Sequence, residues 1–125
     1  DWGVLGGGDM FMAYGLIGML KGKMMPPSLG KNGVLMLEEW QNRAEKYIKR
    51  NVGYIDGTLL HYWHGKKVDR RYKDRGQILI ESKFDPLLDL KKDWQGLYTL
   101  TDRSFELRDG IRKYFRERNE DSIDL

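Results

Sequence analysis

Thr58-Leu59-Leu60-His61-Tyr62-Trp63 constrains this chain more than any other stretch. Its threonine, aliphatic and aromatic side chains make it the strongest strand signal present, in a sequence whose other apolar residues recur mainly at helical spacing. A strand cannot stand alone, because its backbone N–H and C=O groups need partners and an isolated pair of strands is marginal in water. The pairing strands are therefore expected from an N-terminal part outside these 125 residues, or from a partner chain. The chain also opens on Asp1-Trp2 rather than Met and shows no signal-peptide pattern, so a fragment or processed chain is expected.

Around that run the pattern is helical. Gly6-Gly7-Gly8 form a turn, Asp9 stands at a helix N-cap position, and Phe11, Met12, Leu16, Met19 and Leu20 predict a helix over 9–21. Residues 22–33, with Gly22, Pro26-Pro27, Gly30 and Gly33, read as a loop able to move. Val34 to Arg50 reads as a second helix with Leu37, Trp40, Ala44, Tyr47 and Ile48 inward, and Gly53 breaks it. A third helix is expected over Val68 to Ser82, with Val68, Tyr72 and Leu79 inward, before Asp85-Pro86 ends that unit. Residues 87–100 suggest a short hairpin around Trp94-Gln95-Gly96. A last helix should start at a Ser104 cap with Leu107, Ile111, Tyr114 and Phe115 inward, before a charged, fraying tail. The expectation is an α/β class, helix-rich, with 1–125 as one domain or a fragment of one.

Composition narrows the functional classes. Apolar residues at 40% suffice for a core, and charged residues at 33% nearly cancel to a net +3. That charge is too mild for a nucleic-acid coat and fits a local anionic ligand better. Without cysteine the chain has no disulfide, thiolate ligand or thiol nucleophile, which suits a reducing cytoplasm. The most apolar run, Met10 to Leu20, is far shorter than the roughly 20 residues a membrane span needs, so none is expected.

Both histidines fall in His61-Tyr62-Trp63-His64-Gly65-Lys66-Lys67. In a strand His61 and Trp63 share one face and His64 the other, and a one-residue slip reverses them. Imidazole nitrogen can ligate a divalent metal, Gly65 permits close backbone approach, and Lys66, Lys67, Arg70 and Arg71 can neutralise phosphate. Isolated histidine pairs are more often packed or surface residues, and such a basic run is more often a solvated face paired with Asp69 and Asp74. Asp9 is a candidate base for an acceptor hydroxyl, beside its simpler capping role.

Gly7-Gly8-Asp9 followed by Met10-Phe11-Met12-Ala13 resembles the acidic motif preceding a helix in GT-A glycosyltransferases. The run from Val52 to Gly65 resembles the strand closing their nucleotide-sugar site. Lys67-Val68-Asp69-Arg70-Arg71-Tyr72 and the ending from Tyr114 to Asp121 look like the tail of bacterial and phage family-2-like members. The resemblance covers nearly the whole chain, as the C-terminal, acceptor-side and metal-completing half of such an enzyme. The nucleotide-binding strands and the Asp-x-Asp metal motif are not among these residues, and glycine stands at position 8 where many relatives carry an acid.

This resemblance implies a metal-dependent transfer of sugar from a nucleotide-diphosphate donor to an acceptor hydroxyl. It implies Asp9 as the catalytic residue, with inversion if Asp9 acts as base, and Mn2+ or Mg2+ as cofactor. His64 is the preferred metal ligand because Gly65 adjoins it, and His61 is the alternative. Gly8, Gly65, Lys66, Lys67, Arg70 and Trp63 would contact substrate or phosphate. Two other classes stay open. One is a phosphate- or nucleic-acid-binding module gripping through Lys66 to Arg75 with Tyr62 or Trp63 stacking, though the mild charge weighs against nucleic acid. The other is a structural protein reusing the fold.

Overall fold

The computed structural model describes residues 3–20, 25–62 and 65–120. Helix α1 (Gly8–Leu16) begins at Gly7, whose left-handed φ of 92° makes it the N-cap. The cap expected at Asp9 is thus displaced: tandem left-handed glycines, Gly6 and Gly7, finish the turn two residues earlier and leave Asp9 in the first helical turn. The helix also stops short of the expected residue 21, and Lys21 itself lies outside the described residues. Gly18 adopts φ 73° while Met19 N–H donates to the Tyr14 carbonyl and Gly18 N–H to that of Gly15. These are the bonds of a glycine C-terminal cap.

A 3-10 turn (Pro27–Leu29) leads directly into α2 (Gly30–Ile48), so part of the expected loop is already helix. Gly33, Leu37, Gln41 and Ala44 form the buried stripe of α2. Tyr47 and Ile48, expected inward, are exposed. The two helices touch closely: a Cβ on Gly15 would lie 2.0 Å from the Trp40 ring. Gln41 Oε1 accepts from the Leu20 N–H at 2.7 Å, which satisfies a buried amide just past the end of α1.

Residues 51–62 carry no strand, contrary to expectation for 58–62; Trp63 lies outside the described residues. Their side chains are exposed, Leu59 at 91% and Ile55 at 96%. Among the described residues the two strands pair only with each other, and strand propensity without a ladder fixes nothing.

The third expected helix is reduced to α3 (Gln77–Glu81). Arg71 takes φ 46°, a left-handed conformation no α-helix can run through, and residues 66–75 form successive turns instead. Val68 and Tyr72 consequently face outward, while Leu79 packs inward as expected.

Asp85 caps the short α4 (Pro86–Asp89) by accepting from Leu87 N–H at 2.9 Å. Strands β1 (Leu90–Lys92) and β2 (Tyr98–Leu100) then form the expected hairpin, antiparallel with Leu90 opposite Leu100. Helix α5 (Phe105–Glu117) starts where predicted, with Ser104 Oγ accepting from Leu107 N–H at 3.1 Å. Leu107 and Tyr114 are buried; Phe115, expected inward, is 46% exposed and lies under the Arg118 guanidinium.

Two apolar clusters result. Phe11, Leu20, Leu29 and Leu37 join α1 to α2, and Phe84, Leu90 and Leu107 join the hairpin to α5. The class is a small, helix-rich α/β arrangement with a two-stranded sheet. Among the described residues no helix is long and apolar enough to cross a membrane.

Candidate functional site

The glycine turn places Asp9 at the edge of a cleft of about 510 Å3. Gly8, Phe11 and Met12 from α1, Leu37 and Trp40 from α2, and Tyr98 from β2 complete its wall. Three chain segments distant in sequence thus bring a carboxylate and three aromatic rings to one concavity. Such a lining suits a carbohydrate, whose C–H faces pack on aromatic rings while its hydroxyls donate to a carboxylate. Sequence reading singled out Asp9, and the family resemblance added Gly8, but neither pointed to Trp40 or Tyr98. Trp40 read as core on its helical stripe, and Tyr98 came within a hairpin with no evident relation to α1.

The basic stretch is organised around tyrosines. Arg70 Nη1 donates to Tyr72 Oη at 2.7 Å, and the Arg75 guanidinium stacks 4.7 Å from the Tyr72 ring centroid. Tyr114 of α5 ties this stretch down from below: its hydroxyl donates to the Arg70 carbonyl at 3.1 Å and accepts from Arg75 Nη1 at 3.3 Å. Arg71 reaches both Asp74 and Glu117. The hydrogen bond from Arg70 holds the Tyr72 phenol below its ordinary pKa; partial desolvation opposes this, and the charges of Arg70, Arg75 and Arg118 add to it.

Arg75 links the basic stretch to the glycine turn. Gly6, at a left-handed φ of 90°, lies close to the guanidinium: a Cβ there would be 3.2 Å from Arg75 Nη2. Lys66 and Lys67 extend the positive surface and are exposed. Gly65 is buried at φ 87°, and the backbone that approaches it closely is that of Arg118 to Glu120, with a would-be Cβ 2.8 Å from the Arg118 carbonyl oxygen. Its glycine character is accounted for by packing against the end of α5.

His61 sits on the exposed segment with Nδ1 3.1 Å from the Tyr62 carbonyl oxygen. His64 and Trp63 lie outside the described residues. Among the described residues no group of three or more His, Asp or Glu side chains gathers to hold a metal ion. The described donors thus do not make a shell for the divalent cation that the resemblance implies, and His61 would be a lone ligand.

No family model, no curated protein and no solved structure matches this chain.

Proposed function

We propose that this chain is the acceptor-side part of a GT-A-type glycosyltransferase acting on a nucleotide-diphosphate sugar. The observation that carries the reading is the position of Asp9, on a rigid first helical turn at the rim of a cleft walled by Trp40 and Tyr98. In this reading an acceptor sugar lies against those rings with one hydroxyl at Asp9. The Asp9 carboxylate takes the hydroxyl proton as the acceptor oxygen bonds to the anomeric carbon of the donor. The bond from that carbon to the phosphate oxygen breaks, and the nucleoside diphosphate leaves with the electron pair. Lys66, Lys67 and Arg70 do not line the Asp9 cleft; in this reading they belong to the donor side, where they neutralise the departing diphosphate, Arg70 from a position fixed by Tyr72 and Tyr114.

The exposed segment 51–62 supports the same reading. Val52, Tyr54, Ile55, Leu59, Leu60 and Tyr62 are all exposed, as expected of a strand whose sheet is supplied by a nucleotide-binding half or partner chain. A divalent cation, if used, would draw donors from that part and from the diphosphate as well as from a histidine here.

The test is turnover and binding of a panel of nucleotide-diphosphate sugars, measured with Mn2+ by nucleoside-diphosphate release, using the chain together with its nucleotide-binding part. Asp9→Asn should leave donor binding within about twofold and lower turnover at least about 100-fold. Turnover unchanged in Asp9→Asn removes Asp9 from the chemistry. The arginine–tyrosine cluster would equally serve a phosphate-binding module. Donor binding that depends on Arg70, with no transfer to any acceptor, would favour that second reading.

A further inference from the structure

A second cavity, of about 350 Å3, lies between the glycine turn, the 3-10 turn and residues 72–84. Phe11 lines both, and otherwise the two share no residue. Apolar side chains line much of it: buried Leu5, Leu29 from one cluster, and Leu79 and Phe84 from the other. Arg75 and Lys73 line it too, and among the described residues no carboxylate does. Among the described residues neither cation is paired with an acid: Asp74, beside them in sequence, is held by Arg71.

Arg75 is also preorganised. Its face is covered by Tyr72 and one Nη donates to Tyr114, so its orientation is set before any ligand arrives. The fork also lies close to the main chain at Gly6. A fixed guanidinium with an ammonium nearby, both lining a largely apolar hollow, matches an oxyanion attached to an apolar body. The size agrees: the hollow lies in the range of small-molecule sites, roughly 300–1,000 Å3, and far exceeds one water's share of about 30 Å3. We infer that this cavity is a binding site for a phosphate monoester on a small apolar group, held by Arg75 and Lys73 and separate from the Asp9 cleft. The inference stands without the transferase reading.

Phenyl phosphate is the probe, titrated into the full chain and followed by calorimetry and 31P line broadening. Saturable binding is expected, with inorganic phosphate at least about tenfold weaker because it leaves the apolar lining uncovered. Arg75→Lys, which keeps the charge but loses the fork, should weaken phenyl phosphate about tenfold. Lys73→Ala should weaken it several-fold; Lys73 is exposed, so the fold is retained. A nucleotide-diphosphate sugar added in excess should not displace the probe. The inference is overturned by any of three results: no saturable binding, affinity unchanged in both variants, or competition by the nucleotide sugar, which would make the cavity part of a donor site. Loss of Asp9-dependent turnover alone leaves it intact.

Discussion

Asp89 is the most completely buried acid of the described chain, 1% exposed, and its two oxygens are fully used. Arg103 donates to it through Nε and Nη2, each at 2.7 Å, and the Asp85 N–H donates at 2.7 Å. Burial alone would raise its pKa. The hydrogen bonds from Arg103 and from the Asp85 amide outweigh that cost, with the Arg103 charge adding, and the carboxyl is held below its ordinary value. The folded chain thus holds this proton less tightly than the unfolded one. The stabilisation is complete above the unfolded value of 3.8 and is lost as pH falls through the lower folded value. Asp89→Asn should lose about 2–3 kcal/mol at pH 7 in urea unfolding, since one amide cannot replace a bidentate charged pair. Its unfolding midpoint should also vary less between pH 5 and pH 2 than that of the parent chain. An unchanged acid limb would mean that other carboxylates govern acid stability.

Contact between α1 and α2 turns on one glycine. Glycine inside a helix costs about 1 kcal/mol relative to alanine, so Gly15→Ala would ordinarily stabilise. Here the added methyl would overlap the Trp40 ring and also crowd Leu20, at 3.0 Å. Overpacking of that kind costs roughly 1–3 kcal/mol, so the net sign should reverse. Trp40 also walls the Asp9 cleft, so its fluorescence should shift together with a lowered thermal midpoint. A stabilised Gly15→Ala chain with unaltered emission would show that the helices can separate freely. What could be read from sequence follows the same local logic. The Ser104 cap with Leu107 and Tyr114 behind it, the Leu37 to Ala44 stripe and the Trp94-Gln95-Gly96 turn depend on near neighbours, and all three appear in the structure. The 68–82 helix failed because Arg71 is turned left-handed, where its side chain reaches Glu117 46 residues away, a contact no local periodicity can announce. At the site, Asp9 and the basic stretch were visible as motifs. Arg75 stacks on its near neighbour Tyr72, but it also takes its place from Tyr114 and Gly6, which come from opposite ends of the chain.

Across the whole molecule, the two apolar clusters are built from residues on either side of 51–62 and take nothing from it. The segment nevertheless carries large apolar side chains at 52, 54, 55, 59, 60 and 62, all exposed. Each full burial of such a side chain is worth about 1.5–3 kcal/mol, so the stabilisation left unrealised there is large on the scale of a domain's net stability, about 5–15 kcal/mol. Nothing in the described chain offers a ladder to the amides of 53–60, and hydrogen exchange should report this directly. In the isolated chain those amides should exchange within about tenfold of the rate of an unstructured peptide. The amides of Leu37, Gln41, Leu107 and Tyr114, on the buried faces of α2 and α5, should be the slowest. When the proposed nucleotide-binding part is supplied, protection should appear at alternate amides of 53–60, because one edge of a newly added strand pairs while the other faces away. Slow exchange of this segment in the isolated chain would show that it already has a partner, and the strand would not need a second body to complete it.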